Sequence, residues 1–182
     1  ALPRIDFRVA TTRGTNALLE RKGARLAFFT TEGFADLLEI RDQRRERLFA
    51  LEQPAPELLP AFTAAVAGRH DAAGNEVVPL DESALAAAAR EALARGCTVA
   101  AVAFLHSWRE PAHERRAAEI LRAAGFRQVV VSSDIAPLIR LLPRAETAVA
   151  DAFLAPVMEH FVQRVSGPLG GQEPWLMTSA GG

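Results

Sequence analysis

A regular alternation of strand and helix patterns between residues 79 and 131 is the strongest constraint on the fold. Residues 99–105 are nearly all apolar, which is typical of a strand covered on both faces. Two helix patterns flank this run, and residues 129–131 form the next apolar strand. The predicted helix boundaries are Asp81, Gly96, Pro111 and Gly125. This β-α-β-α-β order predicts parallel strands joined by right-handed crossovers.

The sequence therefore predicts an α/β fold with a mainly parallel sheet and flanking helices. Its strands are expected near residues 26–31, 99–105, 129–132 and 175–178. Residues 41–80 are predicted to leave the sheet as an exposed loop followed by a hairpin. In that segment a run of charges and three prolines precede a glycine-containing turn at residues 71–75.

A long helix is predicted towards the end of the chain. Its apolar residues recur at i, i+4 spacing, at Val149, Phe153, Val157, Phe161 and Val165. We expect Phe153 and Phe161 to face the core. Pro156 lies inside this pattern and is expected to kink the helix, because proline cannot donate the backbone hydrogen bond.

The composition excludes several classes of function. Lys and Arg total 21 against 22 Asp and Glu, so no basic excess indicates a nucleic acid or an anionic membrane as partner. No apolar run reaches the roughly 18 residues of a membrane span. The single cysteine, Cys97, rules out an intrachain disulfide and a cysteine-rich metal site. We expect a cytoplasmic protein whose partners are neither nucleic acid nor membrane.

Residues 11–16 form the first candidate site, a Thr-Thr-Arg-Gly-Thr-Asn segment ahead of a predicted helix. Backbone N–H groups at a helix N-terminus, together with hydroxyls and an arginine, can hold an anion or a polar amide. The candidate side chains are Thr12, Arg13, Thr15 and Asn16. The alternative is that Thr15 or Asn16 serves only as the N-cap of the helix.

Polar residues directly after predicted strands form the second group of candidates. Residues just beyond the carboxyl ends of parallel strands line the ligand crevice of open α/β sheets. Such positions are occupied by Thr30, Thr31, His106, Ser132, Ser133 and Ser179. A histidine there can act as a general base or a polar anchor. The alternative is that these groups bond the following loop or cap the next helix. Neither His106 nor His113 has an acidic residue or cysteine at a convincing ligand spacing, so no metal site is predicted.

Taken together, these segments resemble the hydantoinase/5-oxoprolinase family. The resemblance spans nearly the whole chain and is carried by residues 11–25, 30–40, 43–44, 105–107, 111–114, 132–133, 147–149 and 177–182. The versions of the motifs at 11–16 and at 177–182 look most like large bacterial proteins in which A-type and B-type halves are fused. This chain resembles the N-terminal region of the A-type half.

The resemblance implies a class of enzyme. Such proteins are ATP-dependent amidohydrolases that open cyclic amides such as 5-oxoproline or hydantoins, and acetone carboxylase subunits are relatives. The A-type half has the actin/sugar-kinase/Hsp70-like fold, with two lobes around a nucleotide cleft. Phosphorylation would activate the lactam carbonyl before water opens the ring, with Mg²⁺ screening the phosphates. The resemblance also implies the B-type half as a partner and an oligomeric complete enzyme.

One departure from the family pattern limits what this chain is expected to do alone. The glycine-rich phosphate loops of the family do not occur in the sequence, and the resemblance places them before Ala1 and after Gly182. We interpret residues 1–182 as one partial domain, truncated at both ends, that holds part of a lobe and its inserted subdomain. ATP and Mg²⁺ are therefore expected in the parent enzyme, and the fragment is expected to be inactive without them.

Three hypotheses about function remain open at this point. The parent enzyme opens a lactam of the 5-oxoproline type, or it opens hydantoins or carboxylates ketones. Alternatively, this region is a structural, subunit-contact module without catalytic groups. The sequence does not identify catalytic residues. Four candidate side chains can distinguish a binding site from a structural module, namely Thr12, Asn16, His106 and Ser179. If they lie in one cleft, a binding site is favoured, and if they are scattered, the structural module is favoured.

Overall fold

The computed structural model describes residues 7–43, 56–169 and 174–177. The strands are β1 (Arg8–Val9), β2 (Leu26–Thr31), β3 (Phe62–Val66), β4 (Arg69–His70), β5 (Glu76–Val78), β6 (Val99–Ala103), β7 (Gln128–Val131) and β8 (Trp175–Leu176). The helices are α1 (Arg13–Leu19), α2 (Leu37–Ile40), α3 (Glu82–Ala94), α4 (Ala112–Ala124), α5 (Ser132–Ile135) and α6 (Leu141–Ser166). These elements form two compact units, one of residues 25–153 and one of residues up to 24 and from 154.

The larger unit is built on a parallel sheet with the strand order β3-β2-β6-β7. Leu26 pairs with Val99, and Val99 pairs in turn with Gln128. Every residue of β2 and β6 is buried, as expected for strands covered on both faces. The predicted α/β fold with a mainly parallel sheet and flanking helices is confirmed.

One face of this sheet packs against α3 and α4. Alternate strand residues enter the core, because successive side chains of a strand point to opposite faces. The core residues of the strands are Ala27, Phe29, Phe62, Val66, Ala100, Val102, Val129 and Val131, and those of the two helices are Leu85, Ala89, Ala92, Ala117, Ala118 and Leu121. Phe29 contacts Phe126 edge to face, with ring centroids 6.0 Å apart.

Local signals set the ends of α3 and α4 as predicted. The Asp81 carboxylate accepts a hydrogen bond from the Ala84 N–H at 2.9 Å, which satisfies one of the unpaired donors of the first turn of α3. Gly96 follows α3 with a φ of +81°, and Gly125 follows α4 with a φ of +116°. Both values lie in the left-handed region that ends helices and favours glycine.

Two strand predictions were wrong. The last strand, β8, does not join the central sheet and instead pairs in parallel with β1 in the smaller unit. The remaining strand of the central sheet is β3, which pairs in parallel with β2. β3 falls within residues 41–80, which the sequence assigned to an excursion. Its Phe-Thr-Ala-Ala-Val sequence gives a weak strand signal, since small residues fit many environments.

The rest of the predicted excursion is partly borne out. β4 and β5 form an antiparallel hairpin. In the turn between them, Asp71 Oδ1 accepts the backbone N–H groups of Ala73 and Asn75, each at 2.9 Å. The prediction of an exposed charged loop falls largely on residues 44–55, outside the described residues.

α6 is continuous from Leu141 to Ser166, with Pro156 inside it. Phe153 is buried in the larger unit, as predicted. Phe161 belongs to the smaller unit and is only half-buried, so its predicted place in the core is wrong. Among the residues that the structure describes, no helix has both the length and the apolar character needed to cross a membrane.

We expect Phe153→Ala to lower the free energy of unfolding by about 3–5 kcal/mol, because it removes a large buried ring and leaves a cavity. Ile139→Ala is the control, since Ile139 is 71% exposed. That change should alter stability by less than about 0.5 kcal/mol. Urea unfolding followed by circular dichroism measures both. Equal losses in the two variants would contradict the buried position of Phe153.

Candidate functional site

The smaller unit contains an open cleft of about 570 Å³ beside α1. The residues that line it are Thr11, Thr12, Arg13, Asn16, Ala17, Glu20, Lys22 and Val157. Three of the predicted binding residues are therefore brought together, namely Thr12, Arg13 and Asn16. Thr15 is exposed and lies outside this lining.

α1 begins earlier than the sequence predicted. The side chains of Thr12 and Asn16 are therefore not used to cap the helix. Thr12 takes the N-cap position but makes no side-chain capping bond. Instead, the Thr11 hydroxyl accepts the N–H of Arg13 at 3.1 Å. The N–H of Asn16 donates to the Thr12 carbonyl at 2.9 Å, so Asn16 lies inside the helix. The prediction that Thr15 or Asn16 caps this helix was wrong.

The charged groups of the cleft are held by neighbouring side chains. The Arg13 guanidinium lies 5.7 Å from the centroid of the Phe161 ring, at the range of a cation–π contact. Lys22 Nζ donates to Glu20 Oε2 at 2.7 Å. This hydrogen bond, with the attraction of the two charges, lowers the pKa of Glu20 and raises the pKa of Lys22. The cleft thus offers an arginine, a hydroxyl and an amide, which suit an anion or a polar carbonyl group.

His106 does not join this group. His106 belongs to the larger unit and is absent from the lining of the cleft. It has a φ of +61°, and its carbonyl accepts the N–H groups of Arg109 at 2.9 Å and Glu110 at 3.2 Å. Its backbone therefore forms the sharp turn that follows β6. Ser179 lies outside the described residues.

The hydroxyls at the ends of β2 and β6 form hydrogen bonds with the backbone of the same unit. Thr30 donates to the Ala103 carbonyl at 2.9 Å, and Thr31 accepts the Leu105 N–H at the same distance. Ser107 donates to the Phe104 carbonyl at 3.1 Å. Each of these hydroxyls bonds the backbone at the end of β6, which favours the alternative that such groups bond the fold itself.

A buried ion pair joins the carboxyl ends of β6 and β7 to α4 and α6. Glu114 and Arg144 are both fully buried. Glu114 Oε1 accepts hydrogen bonds from the Phe104 N–H at 2.8 Å, the Ser132 hydroxyl at 2.6 Å and Arg144 Nη1 at 2.9 Å. Glu114 Oε2 accepts the N–H of Ser133 at 2.9 Å and its hydroxyl at 2.7 Å. Ser132 and Ser133, considered as crevice residues from the sequence, thus donate hydrogen bonds to the buried Glu114 carboxylate.

Arg144 completes this cluster. Its Nη2 donates to the Phe104 carbonyl at 2.6 Å, and its Nη1 also reaches the Ser132 hydroxyl at 2.7 Å. Burial lowers the pKa of Arg144, and the charge of Glu114 opposes that shift. The resemblance marked Glu114, Ser132 and Ser133 as motif residues, but nothing in the sequence linked them to Arg144.

A second polar cluster lies between the β4–β5 hairpin and α4. His113 Nε2 lies 2.7 Å from Glu76 Oε1, and the rings of His113 and His70 are 4.0 Å apart. Burial lowers the pKa of His70, and the neighbouring His113 adds to this shift. Sequence reasoning considered His113 only with His106. It missed this cluster because His70 and His113 are 43 positions apart in the sequence.

The fold and the cleft define the chain as an α/β protein region with an open polar cleft beside α1. Comparison with known proteins identifies it further. The family model described as the hydantoinase/oxoprolinase N-terminal region matches residues 5–125. The chain belongs to the hydantoinase/oxoprolinase family, and the resemblance found in the sequence is confirmed.

Named relatives come from both fungi and bacteria. The chain is 34% identical to 5-oxoprolinase of Saccharomyces cerevisiae, over 90% of this chain and 15% of the relative. It is 36% identical to caprolactamase subunit alpha of Pseudomonas jessenii, over 90% of this chain and 25% of the relative. The crystal structure of ATP-dependent caprolactamase from Pseudomonas jessenii superposes with a TM-score of 0.82 and 32% identity, covering 93% of this chain and 26% of that one. The chain thus spans about a quarter or less of these proteins.

We expect Glu114→Ala to lower the free energy of unfolding by about 3–5 kcal/mol, because it leaves the buried Arg144 guanidinium without its counter-ion. Glu119→Ala is the matched control on the same helix, since Glu119 forms an exposed ion pair with Arg116. The control should cost less than about 1 kcal/mol. Chemical unfolding measures both. If Glu114→Ala proves no more costly than the control, the buried pair is not a structural anchor.

Proposed function

We propose that this chain is part of an ATP-dependent hydrolase that opens a cyclic amide, in a reaction of the 5-oxoproline-to-glutamate type. Membership of the hydantoinase/oxoprolinase family supports this, as do the names of its relatives 5-oxoprolinase and caprolactamase, whose names both denote lactams. The observation that carries the proposal is the cleft beside α1. It gathers Thr12, Arg13 and Asn16 from a segment that the family model covers.

These side chains are suited to holding a lactam. The Asn16 amide and the Thr12 hydroxyl are neutral donors that can bond a carbonyl oxygen, and the exposed face of α1 presents both. Arg13 offers a cation for a carboxylate or a phosphate oxygen. In this proposal the three residues bind and orient the ring, whereas Thr15 and His106 have no role in the cleft. Ser179 remains a candidate through the resemblance alone, and the catalytic residues are unassigned.

The donor set of the cleft does not match a nucleotide site by itself. It contains one helix of seven residues and no glycine-rich loop whose N–H groups could surround the phosphates. We therefore assign ATP, and the Mg²⁺ that accompanies it, to the complete protein. ATP would supply the phosphoryl group that activates the lactam oxygen.

The complete protein is also proposed to act with a B-type half, either fused or as a separate subunit, in an oligomer. A relative named as a subunit alpha supports such an assembly. Hydantoin opening and ketone carboxylation are the alternatives within the family. A panel of 5-oxoproline, caprolactam, hydantoin and acetone with bicarbonate, each assayed with ATP, separates these activities.

A structural role is the second candidate function for the larger unit. Polar groups at the ends of its strands, namely Thr30, Thr31 and Ser132, bond other parts of the same unit. In that case the larger unit supports neighbouring parts of the complete enzyme, and it contributes no group that binds the substrate.

We predict that Asn16→Ala in the complete enzyme lowers kcat/KM by about tenfold to a thousandfold, or roughly 1.4–4 kcal/mol, because it removes a positioned donor. The free energy of unfolding of this variant should change by less than about 0.5 kcal/mol, since Asn16 is exposed within a helix. Thr15→Ala is the matched control, because Thr15 is also exposed on α1 but lies outside the cleft lining. Steady-state kinetics and melting curves are recorded for each. Similar kcat/KM values for the two variants would show that Asn16 is not a substrate-binding residue.

We also predict that residues 1–182 alone show no saturable binding of ATP with Mg²⁺ and no ATPase activity. The physical reason is that the chain contains no glycine-rich phosphate loop. Isothermal titration calorimetry measures the binding, with the complete enzyme as positive control. A micromolar dissociation constant for the isolated chain would contradict our assignment of the nucleotide site to other parts of the protein.

A further inference from the structure

We propose that His70, Glu76 and His113 form a binding site for a divalent transition-metal ion, with zinc as its representative. One ligand atom from each residue lies within 4.8 Å of the other two. Two imidazoles and one carboxylate are a ligand set that zinc and related ions use, whereas Mg²⁺ and Ca²⁺ prefer oxygen ligands. The proposed site, which we call the His-Glu-His site, belongs to the larger unit and shares no residue with the α1 cleft.

The ligand atoms of His113 and Glu76 lie close to the spacing that a metal requires, and the ligand atom of His70 lies within 4.8 Å of both. Zinc bonds of about 2.0–2.2 Å in a tetrahedral arrangement place neighbouring ligand atoms about 3.3–3.6 Å apart. His113 Nε2 and Glu76 Oε1 are now 2.7 Å apart, at hydrogen-bond distance. An ion that replaces the shared proton therefore needs these two atoms to separate by less than about 1 Å. Small side-chain rotations can supply that movement, because Glu76 is half exposed.

The fold holds two of the three ligands firmly and leaves one side open. His70 and His113 are 5% and 6% exposed. The backbone at Gly68 approaches this region closely, because a side-chain Cβ at that position would lie 3.1 Å from Leu80 and 3.5 Å from His113 Nδ1. The third ligand, Glu76, faces solvent on β5, and this opening gives an ion an entry path and room for a water as fourth ligand.

Neighbouring charges also favour a cation here. Asp71 and Glu110 join Glu76 as the carboxylates whose charge acts on His70. Since the ligands come from β4, β5 and α4, a bound ion would fasten the hairpin to the helix. Without metal, the hydrogen bond between His113 and Glu76 already connects the hairpin to α4. A bound ion would connect His70 to these two residues as well.

The test uses the 182-residue chain after treatment with a chelator and measures Zn²⁺ and Co²⁺ binding by calorimetry and absorption. We expect one zinc ion per chain, d–d bands of Co²⁺ typical of nitrogen and oxygen ligands, and a higher melting temperature with zinc. Mg²⁺ should produce none of these effects. Absence of a one-to-one complex, or the same response to Mg²⁺, would overturn the proposal.

Variants locate the ion. Glu76→Gln and His113→Asn should each weaken zinc binding by at least about a hundredfold, whereas His160→Asn should leave it unchanged, because His160 is an exposed histidine of the smaller unit. If His113→Asn fails to fold, Glu76→Gln decides alone, since Glu76 is half exposed. Undiminished zinc binding in Glu76→Gln refutes the site. Because none of these measurements involves ATP or a lactam, failure of the proposed function would not affect them.

Discussion

The ion pair between Glu114 and Arg144 is the interaction on which the larger unit depends. Both side chains are removed from water, which costs several kcal/mol for each ion unless hydrogen bonds replace the lost hydration. Glu114 recovers this through five hydrogen bonds, so each of its oxygens has more than one donor. The donors come from the loop after β6, from α5 and from α6. A single carboxylate on α4 thereby fixes how three other segments meet at one end of the sheet.

This arrangement leaves the hydroxyls at the carboxyl ends of β2 and β7 bonded within the fold. In open α/β sheets the carboxyl ends of the strands usually carry the ligand-binding groups. Here Thr30 and Thr31 bond the end of β6, and Ser132 and Ser133 bond Glu114. Polar groups that satisfy one another are not available to a substrate without breaking buried hydrogen bonds. The α1 cleft has the opposite character, since Thr12 has no capping bond and Asn16 is exposed.

Sequence reasoning predicted the elements that local signals define. Asp81 and Gly125 act within one turn of their own helices, so the ends of α3 and α4 can be read from the chain itself. β3 and β8 could not be assigned in this way, because strand partners are chosen by packing at long range. The start of α1 was misjudged for a related reason. Several neighbouring residues are good N-caps, and only the folded geometry shows that Thr11 accepts the Arg13 N–H.

The candidate sites follow the same division. Residues 11–16 are contiguous, so their motif could be recognised from the sequence, and Thr11, Thr12, Arg13 and Asn16 line one cleft. The cluster of Glu114 with Arg144 and the His-Glu-His site are built from segments that the chain brings together only on folding. No spacing rule connects a hairpin residue to a helix residue 37 positions away. What the sequence did offer was the His113-Glu114 pair inside a family motif, without any indication that the two side chains act in different clusters.

The first turn of α4 contributes one residue to each of these two clusters. Adjacent helical residues point about 100° apart, so His113 can face the hairpin while Glu114 faces the end of the sheet. Both are buried at a position where polar residues are costly unless paired, and each has its partner. The N-terminal end of the helix favours the negative charge of Glu114, which lowers the cost of burying that carboxylate. Because one turn of one helix orients both residues, a change that unwinds it would disturb the hairpin and the ion pair together. The stability of the sheet end is therefore coupled to the hairpin through the backbone of α4.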